Sequence, residues 1–388
     1  MKHDYEYIVL GLGGWGSAAA YWLSRRAGAE VLGLEQFEIG HVRGESQDHS
    51  RIIRLSYHTP EYVELAKHAF RAWAEVEKDS GEQLVLKTGG LDFAPRESAI
   101  PLSSYSDSMT AAGVPFERLD ASEIRQRWPQ FTVTDDIHGL FQPESGIAMA
   151  ARGNAAHLRM AQAHGASVRD RTPVHGIRPV GGEIEITAGD TSYRCRRLVI
   201  AGGSWSNHAL AHFGVRLPLR VTKEQVTYFA SPHLAEFQPG RFPIWIWMDD
   251  PCFYGFPVFG EQGPKAGQDA GGLEVDPDTR TFDPDGAALQ RTIEFLGRCI
   301  PHALGTIIYT KTCLYTLTPD RDFVIDFVPG CPEAVVGIGG GHGYKFASAI
   351  GRILAELALD GRTERNIEPF RIDRPILQLE NPPANYLV

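Results

Sequence analysis

Apolar positions along the chain follow two rhythms. Ile8, Val9 and Leu10, and again Val31 to Leu34, are short apolar runs of the kind found in parallel strands buried on both faces. Between them Ser17 to Arg26, with Ala18, Ala19 and Ala20, reads as a small-residue helix stopped by Gly28. After a polar loop from His41 that turns apolar toward Tyr57, Thr59 and Pro60 predict a helix start, a capping hydroxyl followed by proline in the first turn. Tyr62, Leu65, Ala66, Ala69, Phe70, Trp73 and Val76 then recur at helical spacing. Thr88 to Ala94 reads as the entry to a different sheet. Asn154 to Gly165 predicts a helix, Glu183 to Thr187 with Ser192 to Arg194 a hairpin, and Leu198 to Ala201 a separate apolar strand ending in Gly202 and Gly203. From Pro218 to Tyr309 the rhythm becomes aromatic-rich strands, Phe242 to Met248 and Phe253 to Phe259 among them, with one helix from about Asp285 to Arg298. Phe323 to Asp326 and Val335 to Ile338 return to short strands, and Tyr344 to Leu359 predicts a closing helix with Ile350, Ile353, Leu354 and Leu357 on one face. The pattern implies an α/β fold in which one domain is assembled from separated pieces and an antiparallel sheet carries another.

The first strand and helix are joined by Gly11-Leu12-Gly13-Gly14-Trp15-Gly16, a G-x-G-x-x-G turn. Gly11 permits the tight turn, Gly13 lets backbone amides approach a pyrophosphate, and Gly16 lets the helix pack closely on the strand. The helix N-terminus would face the phosphates. Glu35, closing the second strand, is placed to accept hydrogen bonds from a ribose diol. With strand before, helix after and acid at the second strand's end, the turn points to a nucleotide site.

Composition narrows the classes. A chain of 388 residues with 43% hydrophobic and 22% charged residues is long enough for two globular domains. A net charge of -10 with no basic cluster argues against nucleic acid as a partner. No apolar run reaches the roughly 20 residues needed to span a bilayer, so no membrane span is expected and the expected location is cytoplasmic. Cys195, Cys252, Cys299, Cys313 and Cys331 are odd in number, widely spaced and free of C-x-x-C, which fits neither a disulfide scaffold nor a zinc site, and no metal is expected.

The segments GLGGWG, SRIIR, YGFPVFGEQGPK, TCLYTLTPDRDFVID and GGGHGYKF, in that order and over nearly the full length, resemble the monomeric sarcosine oxidase family of flavin-dependent amine oxidases. The resemblance implies FAD rather than NAD, and a glutathione-reductase-type FAD-binding Rossmann domain interleaved with an antiparallel-sheet substrate domain. Residues 1–84, 148–217 and 321–388 would form the first, and 85–147 and 218–320 the second. It also implies a monomer that oxidises the C-N bond of a small amine or amino acid with oxygen as acceptor. Cys313 occupies the place of the family cysteine that joins the isoalloxazine 8-methyl carbon as a thioether, for which a thiolate is a suitable soft nucleophile. Gly341 and Gly343, before the last helix, would place unencumbered amides where reduced flavin gathers negative charge.

Other roles follow by matched position. Arg54 and Lys345 would hold a substrate carboxylate, a fork and a point charge. Lys265 would stabilise the anion formed when oxygen takes its first electron. Ser50 and Arg51 would lie close to the flavin ring, and Tyr254 and Tyr315 would line the pocket. The chain departs from the family at Gln47 and Asp269, where histidines are expected, and at Trp245, where a methionine is expected. Asp269 and Trp245 would suit a larger, aromatic or partly cationic amine through charge pairing and ring contact. The expected activity is oxidation of an N-alkylated or cyclic amino acid to imine and hydrogen peroxide. The alternatives are an oxidase of a glycated amino acid or natural-product amine, an NAD-dependent dehydrogenase, and a flavin-binding module without turnover.

Overall fold

The computed structural model describes residues 2–379 and 382–383. Its first sheet has eight strands. Asp4–Leu10 lies at its centre, parallel on one side to Val31–Leu34, with Tyr7 opposite Val31, and on the other to Thr191–Ile200, with Leu10 opposite Ile200. Ser167–Arg169 extends one edge, and Cys331–Ile338 pairs in parallel with the end of Thr191–Ile200. The apolar runs form these strands because both faces are covered: Ile8, Val9, Leu32, Val199 and Val336 have no exposed surface.

The helix Gly14–Ala27 covers one face and packs on Ala347–Asp360. Small residues bring the two close. A Cβ on Gly351 would lie 2.4 Å from that of Ala18. The helix Pro60–Ser80 begins at Thr59, whose side chain accepts the Tyr62 N–H, and ends at Gly81 with a left-handed φ of 72°.

Thr191–Ile200 is one continuous strand, where the sequence suggested a hairpin arm and a separate apolar strand. Its first half pairs with Glu183–Ala188 and its second with Cys331–Ile338, so its polarity pattern changes midway along unbroken backbone. The closing helix begins as a 3-10 turn, Gly343–Phe346, and becomes α-helical only at Ala347.

The second sheet has nine strands, drawn from Gly90–Pro95, Glu117–Asp120 and Ile137–Gln142 together with the strands between Arg220 and Leu317. It is antiparallel except where Ile244–Trp247 runs parallel to Gly90–Pro95, with Ile244 opposite Gly90. The expected all-antiparallel sheet therefore has one parallel seam, because those two strands arrive from separate excursions of the chain. A small three-stranded sheet, Arg51–Ile53 with Gly146–Ala148 and Val85–Lys87, adjoins them. No helix among the described residues is long and apolar enough to cross a membrane.

Candidate active site

A cavity of about 500 Å³ runs from the glycine turn and Glu35 at one end to Arg54, Tyr254 and Lys345 at the other. Gly11 has a left-handed φ of 86°, and a Cβ there would meet the Ala201 carbonyl oxygen at 2.5 Å. Gly13 lines the cavity, whereas Gly16 does not; a Cβ on Gly16 would lie 1.7 Å from the Gly11 carbonyl oxygen, so it serves the strand–helix contact. Glu35 is buried in the cavity wall, with Oε2 accepting Leu12 N–H at 2.8 Å and Oε1 accepting Phe37 N–H at 3.1 Å.

Asp48 and Arg51 line the cavity, and behind them lies a buried charged cluster that includes Lys265, which is not itself in the lining. Lys265 Nζ donates to Asp48 Oδ2 and to the Ser50 carbonyl oxygen, both at 2.9 Å, and the lysine is 2% exposed. It is buried, not a solvated hairpin residue. Burial drags its ammonium down to about 8, with Asp48 pulling up and Arg51 pushing further down. Burial alone would raise the Asp48 carboxyl, but Lys265 and Arg51 hold it far below the usual range. Tyr228 Oη donates to Asp48 Oδ1 at 2.9 Å. Arg51 donates to the Ser50 and Glu45 carbonyl oxygens at 2.9 and 2.8 Å and lines the cavity. The Ser50 hydroxyl is buried without a partner.

Cys313 lies between Lys311 and Tyr315 on the strand Thr306–Leu317, and by alternation shares the face of these two cavity-lining residues. Burial pushes its thiol up to about 12, with Arg51 opposing. Tyr254 and Tyr315 meet through their hydroxyls, and burial raises both, so each is a neutral phenol. Gly341, with a φ of 88°, packs under Tyr315, where a Cβ would lie 2.6 Å from the ring. The Gly343 carbonyl oxygen accepts Trp15 Nε1–H at 3.0 Å. Gln47 lines the cavity, donates to the Thr312 carbonyl oxygen at 2.7 Å, and keeps Oε1 buried without a partner.

At the far end Arg54, 3% exposed, lies 3.4 Å from Asp92 and over the Tyr57 ring at 4.9 Å. The Ser56 hydroxyl also donates to Asp92. Lys345 is buried in the same wall and makes no ion pair among the described residues. Burial, then Arg54, pushes its ammonium well below the usual lysine range.

Two expectations at this end need correction. Trp245 is not in the cavity: it packs on Phe295 at 5.6 Å and over Gly255, while Ile246 and Met248 line the wall. Successive strand residues face opposite ways, and the phase of Ile244–Trp247 puts Trp245 in the core. Asp269 does line the cavity, but its Oδ2 is 2.9 Å from Arg321 Nη1, so its charge is matched within the protein rather than offered to a cationic amine.

Sequence reasoning did not single out Asp48, Asp92, Arg321 or Glu45. Asp92 carried a signal, an acid inside the strand Gly90–Pro95 whose neighbours Leu91 and Phe93 are fully buried. Glu45, in the polar loop, accepts from Thr316 and Ser204, and burial raises its carboxyl to about 7. Outside the cavity, His233 and His302 stack at 3.9 Å and both face the Glu236 carboxylate. One ligand atom from each of the three lies within 4.8 Å of the others, and the group is empty.

The residues fit an FAD. The turn leaves room for phosphate where side chains would close it, the cavity is continuous from there to the paired tyrosines, and cations flank its middle. When bound, the flavin supplies two-electron oxidation of the substrate.

The family model for FAD dependent oxidoreductases matches residues 6–357. The chain is 35% identical to monomeric sarcosine oxidase of Streptomyces avermitilis, over 95% of this chain and 97% of that protein. It is 32% identical to monomeric sarcosine oxidase of an Arthrobacter species, over 97% and 98%. Among solved structures, NikD in an open form, described as an unusual amino acid oxidase essential for nikkomycin biosynthesis, superposes with a TM-score of 0.84 at 25% identity, covering 100% of this chain and 99% of that one. Full-length matches at this identity, on a chain whose glycine turn and cavity fit the dinucleotide, show that this protein belongs to the FAD-dependent oxidoreductases, in the family of the monomeric sarcosine oxidases.

Proposed function

We propose that this protein oxidises a secondary amine that carries a carboxylate, an N-alkylated or cyclic amino acid, to an imine, and that it passes the electrons to oxygen as hydrogen peroxide. The observation that carries the reading is Lys345. An ammonium buried in the wall of an FAD cavity, beside Arg54 and with no carboxylate paired to it among the described residues, is a costly arrangement unless an anion arrives from outside. An amino acid carboxylate is such an anion. Held by Arg54 and Lys345, it would set the substrate's amine and adjacent carbon beside Tyr254 and Tyr315, whose neutral hydroxyls line the cavity.

In the second half of the cycle Lys265 would act as a fixed cation for the anion produced when oxygen takes its first electron, with Asp48 and the Ser50 carbonyl holding its position. Cys313 would carry the flavin as a thioether, with Arg51 the nearby cation that favours its thiolate. The imine would hydrolyse in water, and the enzyme would work as a monomer.

A screen of N-methyl and cyclic amino acids against their decarboxylated counterparts, read by peroxide release, tests the reading. Acidic amines should turn over and the matched amines without carboxylate should be at least tenfold poorer in kcat/KM. Equal turnover of both series would remove the carboxylate from recognition.

A further inference from the structure

Arg321 stands in the turn between Thr306–Leu317 and Val324–Val328 and is held there with unusual effort. Its φ is 63°, a left-handed conformation that non-glycine residues rarely adopt. Its carbonyl oxygen accepts His342 Nε2–H at 3.1 Å and presses on Gly340, where a Cβ would lie 2.1 Å from it. The side chain is 7% exposed, with Nη1 2.9 Å from Asp269 Oδ2, while Nε and Nη2 are buried without partners. A guanidinium kept in so dry a place with most of its donors unused has one evident partner, the Asp269 carboxylate.

Three aspartates in or behind the cavity wall each face a cation. Asp48 faces Lys265, Asp92 faces Arg54 and Ser56, and Asp269 faces Arg321. Lys345 is the cation left over at the far end, and Asp269 and Arg321 both act on it electrostatically, in opposite directions. Deprived of Arg321, Asp269 would be a half-buried carboxylate without a counter-ion, lining the same cavity as a buried ammonium without one and acting on it electrostatically. In a low-dielectric site two such groups pair.

We propose that Arg321 is an anion sink: by binding Asp269 it keeps that carboxylate from neutralising Lys345, and so leaves the Lys345 ammonium available to the carboxylate of the substrate. Arg321 is thus a positioning residue that sets specificity for carboxylate-bearing amines without touching them. This rests on the carboxylate-clamp reading of Arg54 and Lys345.

The experiment is a titration of the FAD-loaded protein with acetate, a small unreactive carboxylate, followed by the visible spectrum of the flavin. Arg321→Met should raise the acetate Kd at least tenfold, because Asp269 then competes for Lys345. Adding Asp269→Asn to that variant removes the competitor and should restore the Kd to within threefold of the unmodified protein. An unchanged Kd in Arg321→Met overturns the proposal, and so does a loss that Asp269→Asn fails to restore, which would make Arg321 only a brace for the turn. Should Arg321→Met not fold, Asp269→Asn alone decides. With Arg321 then uncompensated, acetate should bind equally or more tightly, and a tenfold weakening overturns the sink. Lys345→Met keeps the two readings apart. If it weakens acetate while Arg321→Met does not, only the sink fails; if it leaves acetate binding unchanged, the clamp itself fails, and the sink with it.

Discussion

Lys265 and Asp48 stand 217 residues apart in the chain and 2.9 Å apart in space, each 2% exposed at its side chain. The pair fixes a buried cation behind the cavity-lining Asp48 and Arg51, within electrostatic reach of Cys313, and the cation's protonation depends on its partner. If the ammonium serves oxygen reduction, reoxidation should be fast below a pH of about 8, where Lys265 is protonated, and should slow above it. Asp48→Asn withdraws the charge that holds the lysine's pKa up, so the midpoint should move to lower pH. Lys265→Met should slow reoxidation about a hundredfold and flatten the profile. It should leave anaerobic reduction by substrate within a few fold. Stopped-flow mixing of reduced protein with oxygen across pH measures all three, and an unshifted midpoint in Asp48→Asn would detach the pair from oxygen chemistry.

Attachment of the flavin should be slow at neutral pH and speed up with alkalinity. Burial pushes the Cys313 thiol up to about 12, so only a small fraction is thiolate at pH 7, and that fraction grows tenfold per pH unit up to the pKa. FAD added to flavin-free protein should become acid-precipitable about ten times faster at pH 8 than at pH 7. Arg51→Met removes the cation that opposes the upward shift and should slow the reaction further. Cys313→Ala should leave all the flavin in the supernatant after acid precipitation.

What could be read from the sequence was whatever local chemistry dictates. The turn at Gly11 to Gly16 and the start at Thr59-Pro60 announce themselves because each is a few adjacent residues whose backbone needs are specific. The strand around Trp245 was also legible as a strand, yet its phase was not. Phe242 to Met248 is apolar at nearly every position, so nothing in the alternation says which side faces the cavity. The ion pairs were invisible for a different reason. Lys265 with Asp48, and Arg321 with Asp269, join residues from different elements, and neither partner sits at a spacing that names the other. Only Asp92, a charge inside a buried strand, gave notice of an unseen cation.

The phase of that strand yields a test of its own. Trp245 is 2% exposed, stacks against Phe295 and fills the space over Gly255. Trp245→Ala should therefore cost about 3–5 kcal/mol of stability, as for emptying a large core site. It should change KM for the preferred amine by less than about threefold. Ile246→Ala, in the cavity wall, should do the reverse: a smaller loss in the urea unfolding midpoint and a larger change in KM. Equal effects of Trp245→Ala on stability and KM would return the indole to the pocket.

Carboxylate binding should take up a proton, and the sign follows from Lys345. Burial, reinforced by Arg54, lowers the pKa of its ammonium well below the usual lysine range, which means that the ligand-free protein surrenders this proton at an unusually low pH. A carboxylate arriving at the clamp favours the charged form and raises the pKa again. Below the ligand-free pKa the lysine is already protonated and the acetate Kd should be independent of pH. Between the ligand-free and the bound pKa each binding event must recruit a proton, so the Kd should rise about tenfold per pH unit. Above both, binding should be weak and flat. Calorimetry in buffers of different ionisation enthalpy would count the proton directly, close to one per acetate within the sloping region. Lys345→Met should abolish both the slope and the proton uptake while leaving the residual, Arg54-held affinity constant across pH. A slope that survives in Lys345→Met would assign the titrating group elsewhere and leave Lys345 without its part in the clamp.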